Sequence, residues 1–194
     1  MGNIIIIMPV KYQSKRLRNK NILPINNLPM FVYVAKKIKK IKKFSKFFVS
    51  TESKKIKDLC INYGIDYIHR PKYLSKSWVE KHAVIVHAVR NLKIIKKKDT
   101  IISLQPNSPE VKTSDIRKAL NFFNNKLYKI ARIKELICIN KNNIQNPSFR
   151  ILTYDAVFQK TLSTKVGVYF ADYTDIHSHK DYVKTKNKIE KKNA

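Results

Sequence analysis

Seven polar side chains that could bind phosphate occur within residues 11–21, near the N-terminus. They follow an apolar run that ends at Pro9, and they are Lys11, Ser14, Lys15, Arg16, Arg18, Lys20 and Asn21. Phosphate oxygens need compact charges and directional hydrogen-bond donors, which lysine, arginine and serine side chains supply together with loop amides. The stretch therefore predicts a polyphosphate site. The alternative is a solvated basic turn in a lysine-rich protein.

A second polar segment follows another apolar run. Residues 104–109 read Leu-Gln-Pro-Asn-Ser-Pro, directly after the run at 100–104. Its side chains make it a candidate binding segment, whereas its two prolines could equally define a plain turn after a buried strand.

The glycine-rich phosphate motifs are absent from the sequence. The chain contains only Gly2, Gly64 and Gly167, so neither GxxxxGK[ST] nor GxGxxG can occur. The Gly-x-Ser-x-Gly and His-Glu-x-x-His motifs of serine and zinc hydrolases are also missing. The sequence therefore gives no support to a P-loop protein, a dinucleotide-binding domain or either class of hydrolase.

Apolar runs alternate with helical periodicity along most of the chain. Continuous β-branched runs predict buried strands, and apolar residues at helical spacing predict helices. The predicted strands cover 4–9, 46–50, 65–68, 100–104 and 166–170, and the predicted helices cover 29–41, 54–63, 79–92 and 115–123. Ser53 and Ser114 are the predicted N-caps, and Gly64 is a predicted helix stop. From 130 to 148 the pattern gives no clear element.

This alternation predicts an α/β domain with a mostly parallel sheet. In such sheets ligands bind beyond the carboxyl ends of the strands, so the two polar segments are where chemistry is expected. We expect one domain over residues 1–180, since a chain of this size can form a single core. A Lys/Asn-rich tail over 181–194 has few apolar residues, and we expect it to be weakly ordered.

The charge is strongly positive but does not identify a partner. The net charge is +28, from 41 Lys and Arg residues against 13 Asp and Glu residues. Such an excess suggests a nucleotide, a nucleic acid or an acidic membrane. However, Lys, Asn, Ile, Tyr and Phe are abundant together, as an A/T-rich coding sequence would make them, and the lysines are spread along the whole chain.

The cysteines and the N-terminal run bear on the compartment. Cys60 and Cys138 are too few for a disulfide framework, and we expect both to be buried. The apolar run at 4–8 is too short to span a bilayer and lacks the basic segment of a signal peptide. We therefore expect a cytoplasmic protein that does not bind membranes.

Three segments resemble one family in the expected order. Residues 8–22 read Met-Pro-Val-Lys-Tyr-Gln-Ser-Lys-Arg-Leu-Arg-Asn-Lys-Asn-Ile. They resemble the signature loop of acylneuraminate cytidylyltransferases, the CMP-sialic-acid synthetase group, which reads approximately P-A-R-x-x-S-K-x-x-x-x-K-N. The second segment, which comprises residues 48–52, 63–65 and Arg70-Pro71, and the third, residues 104–109, resemble the same family. Lys11 stands where the family usually has arginine, which keeps the charge but loses the bidentate donor.

The resemblance implies a three-layer α/β/α nucleotidyltransferase fold of the GT-A or Rossmann-like kind. It implies transfer of CMP from CTP to a sialic-acid-like sugar acid, with release of pyrophosphate, magnesium as cofactor and a possible homodimer. It implies that Lys20 is catalytic and that the nucleotide is bound by Lys11, Ser14, Lys15, Arg16, Lys20, Asn21, Arg70 and Gln105. It implies that the sugar acid is bound by Gln105, Asn107, Ser108 and Gly167.

The family's magnesium-binding Asp-x-Asp motif is not found near the C-terminus. Three explanations compete: a truncated chain, an enzyme that uses other carboxylates such as Asp172 or Asp175, and a nucleotide-binding relative without turnover. His177-x-His179 is a further metal candidate, although scattered ligands in a polar loop are more often surface residues. We therefore assign no metal ligand from the sequence.

A basic nucleic-acid-binding protein is the remaining alternative. It is motivated by the net charge and by aromatic residues beside lysines, at Lys43-Phe44 and at Lys46-Phe47-Phe48. CTP and a small sugar acid are the favoured partners, and nucleic acid is the less favoured one.

Overall fold

The computed structural model describes residues 2–39, 46–160 and 165–191. Within them, seven strands form one sheet, and two short strands pair separately. The strands are β1 (Ile4–Pro9), β2 (Pro24–Ile25), β3 (Leu28–Pro29), β4 (Lys46–Thr51), β5 (Tyr67–His69), β6 (Thr100–Leu104), β7 (Glu135–Ile139), β8 (Gln145–Thr153) and β9 (Val166–Phe170). The main sheet has the order β5-β4-β1-β6-β8-β7-β9.

The sheet is mostly parallel, as the alternating pattern predicts. Strand β1 pairs in parallel with β4 and β6, β4 with β5, and β7 with β9. Strand β8 runs antiparallel to both of its neighbours. The carboxyl ends of β1, β4 and β6 therefore meet at one edge.

Helices cover both faces of this sheet. They are α1 (Met30–Lys39), α2 (Lys54–Asn62), α3 (Lys81–Asn91), α4 (Thr113–Phe123), α5 (Lys126–Ile130), α6 (Tyr154–Phe158) and α7 (His179–Glu190). Successive strand residues point to opposite faces, so Ile6 and Met8 of β1 pack in one core with α1, α2 and α4. Ile5 and Ile7 pack in a second core with α3 and α6. The three-layer α/β/α architecture is confirmed.

One local prediction differs from the structure, and one pair of strands was not predicted. The predicted N-cap Ser114 lies inside α4, which begins at Thr113 after Lys112, and Lys112 makes no side-chain capping bond. The hairpin of β7 and β8 was not predicted, because β8 begins with the polar run Gln145-Asn146-Pro147-Ser148 and a register shift follows Ile137. By contrast, Ser53 caps α2 as predicted, accepting a bond from the Ile56 amide.

The expectation of a weakly ordered tail is wrong for residues 181–190, and the predicted boundary at 180 falls inside helix α7. Ser178 and Asp181 form a capping box at the start of α7. Tyr182, Thr185 and Ile189 share one buried face of this helix. The tyrosine and isoleucine pack against a cluster that includes Ile25 and Met30. The capping box and the buried face stabilise α7 even though the helix contains many lysines.

Some predictions fall on residues that the structure leaves out. Residues 40 and 41 of the predicted helix 29–41, and the Lys43-Phe44 pair, lie outside the described residues. Among the helices of the described ranges, none is long and apolar enough to cross a membrane.

Candidate active site

The polar loop after β1 is folded back on itself. The Val10 amide donates to the Ser50 carbonyl and extends the alignment of β1 with β4. Beyond it the chain reaches a 3₁₀ turn at Lys20–Ile22, which Asn19 enters with a left-handed φ of 53°. Asn21 Nδ2 then donates to the Lys11 carbonyl over 2.7 Å. This bond brings the two ends of the predicted phosphate loop together.

A cleft of about 330 Å³ opens beside this loop, at the carboxyl ends of β1 and β6. The structure brings every predicted nucleotide-binding residue to its wall, and Asn107 with them. These residues are Lys11, Ser14, Lys15, Arg16, Lys20, Asn21, Arg70, Gln105 and Asn107. The arrangement places a cationic loop opposite a polar strand end, with space between them for a ligand.

Two predicted substrate-binding residues do not line this cleft. Ser108 is fully buried behind it, and its hydroxyl donates to Asp175 Oδ1 over 3.4 Å. Gly167 lies in β9 opposite Leu136, and a Cβ there would come within 2.3 Å of the Tyr128 ring. The geometry therefore explains Gly167 by close packing and gives no support to a role in binding.

Arg70 lines the cleft but is already paired. Its side chain is 3% exposed, and Nη2 lies 2.7 Å from Glu52 Oε2. Its Nε donates to Glu52 and to the Ser75 hydroxyl, each over 3.0 Å. Burial is the largest influence on both pKa values, raising that of Glu52 and lowering that of Arg70. The bond from Ser75 and the charge of Arg70 outweigh burial at Glu52, whose pKa is lowered overall.

Asp175 is a cleft residue that the sequence offered only as one alternative. Asn107 Nδ2 donates to Asp175 Oδ1, and His177 Nε2 lies 2.7 Å from Oδ2. Arg16 Nη1 lies 2.8 Å from His177 Nδ1. Arginine can only donate, so in this arrangement Nδ1 is the accepting nitrogen and Nε2 is the nitrogen that faces Asp175 as a donor. A chain of bonds thus runs from the phosphate loop through the imidazole to the carboxylate.

Lys20 connects the loop to the same segment. Its Nζ donates to the Ile176 carbonyl over 2.7 Å. The pKa of Lys20 is lowered to about 8, chiefly by burial; the charge of Asp175 opposes this, and the charges of Arg16, Lys81 and Lys11 add to it. An ammonium held in this environment favours an incoming anion.

Lys81, at the start of α3, is a cleft cation that sequence reasoning missed. Its side chain reaches solvent, but the cleft walls partly desolvate the ammonium, and this lowers its pKa. Arg16, Arg150 and Lys11 lower that pKa further, and Asp175 raises it. No motif distinguishes this lysine from the many others in the sequence. Asp175 has no local signal either, because its place in the cleft depends on contacts with distant residues such as Asn107.

A second pocket of about 370 Å³ adjoins the cleft and shares Lys81 and Gln105 with it. Arg150 and Gln145 contribute further polar side chains to its wall. Arg150 is paired with Glu135, yet 30% of its side chain stays exposed. The two pockets together could hold two anionic ligands side by side.

Within the described ranges, no group of three or more histidine, cysteine, aspartate or glutamate side chains could hold a metal ion. Asp175 is the one carboxylate among the described residues that line the cleft. Among the described residues, a cation in this cleft would therefore find one carboxylate, Asp175, together with neutral oxygens such as that of Gln105.

Comparisons with known proteins show which proteins the chain resembles. The chain is 31% identical over 120 residues to N-acylneuraminate cytidylyltransferase of Escherichia coli, a match that covers 62% of this chain and 28% of that protein. It is 29% identical over 143 residues to 3-deoxy-manno-octulosonate cytidylyltransferase of Fusobacterium nucleatum. That match covers 73% of this chain and 55% of that protein. The chain thus spans about half or less of the length of these two relatives.

A solved structure and a family model extend the likeness to nearly the whole chain. The fold matches that of CMP:2-keto-3-deoxy-manno-octonic acid synthetase complexed with CTP, with a TM-score of 0.81 at 11% identity. The match covers 98% of this chain and 100% of that one. The cytidylyltransferase family model matches residues 5–190, which include the loop after β1, the Gln105 segment and Asp175. The chain belongs to the cytidylyltransferase family.

Proposed function

We propose that the protein transfers CMP from CTP to a sugar acid and releases pyrophosphate. One observation carries the proposal: in a chain of the cytidylyltransferase family, the cations of the loop after β1 and the polar end of β6 line a single cleft. The class of sugar acid is inferred from the relatives, which act on acylneuraminate and on 3-deoxy-manno-octulosonate.

The nucleotide would lie in the cleft with its triphosphate against Lys11, Lys15 and Lys20. The nucleoside has a candidate recognition group in Asn21. Its side-chain oxygen is buried and has no hydrogen-bond partner among the described residues. A buried acceptor without a partner is costly, so a donor on the ligand would be favoured there. The amino group of cytosine and a ribose hydroxyl are both suitable donors.

The sugar acid would lie in the second pocket. Lys81 and Gln105 belong to both pockets, so an acceptor bound there would be adjacent to the nucleotide. The exposed part of Arg150 and the ammonium of Lys81 can meet the carboxylate of a sugar acid. The glutamine side chains of this pocket can bond its hydroxyls.

The reaction proceeds by attack of the anomeric hydroxyl on the α-phosphorus. A bond forms from the sugar oxygen to phosphorus, the bond to the bridging oxygen of the leaving pyrophosphate breaks, and the hydroxyl proton passes to water. Negative charge grows on the leaving group and on the phosphoryl oxygens. Lys20, which we propose as the catalytic cation, lines the cleft together with Lys11 and Lys15 and would stabilise that charge.

Magnesium is the proposed cofactor of the transfer step. Magnesium is usually held by one or two carboxylates together with substrate phosphates. Asp175 with phosphate oxygens of bound CTP fits that donor set, although both carboxylate oxygens are engaged in the free protein. When bound, the metal would neutralise phosphate charge beside the side chains described above.

Pyrophosphate release tests the proposal. The protein is mixed with CTP and, in turn, N-acetylneuraminate, 3-deoxy-manno-octulosonate and a neutral hexose, with magnesium present. We expect pyrophosphate and a CMP-linked product with one or both sugar acids and none with the hexose. Binding of CTP without pyrophosphate release from any sugar acid would instead indicate a nucleotide-binding relative without turnover.

A further inference from the structure

We infer that the protein captures the triphosphate of CTP without a divalent metal, because Lys20, Lys81 and the cations of the loop after β1 supply the charge that a metal would otherwise supply. The inference rests on the proposed CTP-binding function of the cleft. It separates capture of the nucleotide from the transfer step, for which a metal is proposed.

The first support is the charge that lines the cleft. Six cationic side chains line it without an ion pair among the described residues, and they are Lys11, Lys15, Arg16, Lys20, Lys76 and Lys81. Arg70 is excluded from this set because Glu52 pairs with it. A nucleoside triphosphate is a polyanion that ordinarily carries a metal to offset its charge. Here the six cationic side chains of the cleft can compensate the negative charge of the triphosphate.

The second support is the state of the single cleft carboxylate. Asp175 Oδ1 accepts bonds from Asn107 and Ser108, and Oδ2 faces His177 Nε2. Lys20 and Lys81 both lie close enough to Asp175 to interact with its charge. A metal entering the free cleft would have to displace bonded groups and approach several positive charges, both of which cost free energy. Without nucleotide, the cleft therefore disfavours a metal.

The third support is the mutual effect of the two lysines. Both lysines line the same cleft as Lys11 and Arg16, so several positive charges face one space. Burial and these neighbouring cations lower the pKa of each ammonium, against the opposing charge of Asp175. An anion bound in the cleft offsets the repulsion among these cations, whereas a metal at the same place would add to it. The cations around this one space therefore favour binding of the nucleotide anion.

Calorimetric titration with CTP in EDTA and in magnesium chloride tests the inference. The full chain is titrated in both buffers at the same ionic strength. We expect the dissociation constant in EDTA to lie within about threefold of that in magnesium. Binding in magnesium that becomes more than about thirtyfold weaker in EDTA would overturn the inference and leave the proposed function standing. Failure to bind CTP in either buffer would overturn both.

A variant of the missed lysine makes the test specific. Lys81→Met should weaken CTP binding in EDTA by about tenfold, and by less in magnesium, because a metal can replace part of the lost charge. Asp175→Asn should leave binding in EDTA unchanged or tighter, since it removes a negative charge from the cleft. Lys184→Met, an exposed position on α7 outside the cleft, is the matched control and should change neither value. Equal losses for Lys81→Met in both buffers would contradict the inference.

Discussion

Glu52 Oε2 lies 2.7 Å from Arg70 Nη2 in a pair whose side chains are 15% and 3% exposed. The Ser75 hydroxyl donates to the same carboxylate oxygen over 2.6 Å. Because the carboxylate already balances the guanidinium, Arg70 adds less net charge to the cleft than its position in the sequence suggests. The pair instead links the end of β4 to the end of β5, and Arg70 Nη2 also donates to the Val10 carbonyl just after β1.

Glu52→Gln is therefore expected to destabilise the protein. The change leaves a buried guanidinium without its counter-charge, and breaking a buried pair in this way costs about 3–5 kcal/mol. Urea denaturation followed by circular dichroism measures the loss. Asp58→Asn, at an exposed position of α2, is the control and should stay within about 0.5 kcal/mol of the parent. A loss below about 1 kcal/mol for Glu52→Gln would show that the pair does not support the wall.

Lys20→Met should weaken CTP binding without a large effect on the stability of the fold. Removing the ammonium takes away a phosphate contact and should weaken CTP binding by more than about tenfold. It also removes both a partly desolvated charge and the bond to the Ile176 carbonyl, which act in opposite directions, so the free energy of unfolding should change by less than about 1 kcal/mol. Lys118→Met, exposed on α4, should alter neither property. Unchanged CTP affinity in Lys20→Met would remove this lysine from the binding site.

The affinity for CTP should decline in mildly alkaline solution. The pKa of Lys20 is lowered from 10.5 to about 8, so its charge is present below that pH and is lost as the pH rises through it. The phosphate contact needs the charged form, and binding should therefore weaken well before an ordinary lysine titrates. Lys20→Arg should resist the decline, because arginine stays charged. Titrations between about pH 7 and pH 9.5 measure the effect, and parallel profiles for the two proteins would contradict it.

Two serines distinguish the observed cap of α7 from the predicted cap of α4. Ser178→Ala should lower the free energy of unfolding by about 1 kcal/mol, because Ser178 accepts a bond from the Asp181 amide in a capping box. Ser114→Ala should have little effect, because Ser114 lies inside α4. Thermal and urea denaturation of both variants measure the difference. If both variants lost the same free energy of unfolding, the capping box would not be a specific source of stability for α7.

The sequence predicts the elements whose signal is local. The apolar run 4–9 forms β1, the run 100–104 forms β6, and Ser53 caps α2, because burial on both faces and capping depend on a few adjacent residues. The nucleotide-binding residues predicted from the resemblance meet in one cleft, since parallel strands bring their carboxyl ends to one edge.

Other features depend on contacts that the sequence does not display. Strand β8 is polar at its start and is stabilised by pairing with β6 and β7. Helix α7 carries many lysines, and its stability comes from burying Tyr182 and Ile189 against distant residues. Lys81 enters the cleft only because α3 packs beside β1. Asp175 lies in the cleft because Asn107 holds it there.

A crystal structure of the full chain with CTP would show directly where the nucleotide binds. We expect the triphosphate to lie between the loop after β1 and the Gln105–Asn107 segment, within hydrogen-bonding distance of Lys20 Nζ. It also predicts that Arg16 leaves His177 or shares it with a phosphate oxygen. Ordered CTP at another surface, with Lys15, Lys20 and Asn21 making no contact to it, would contradict the account.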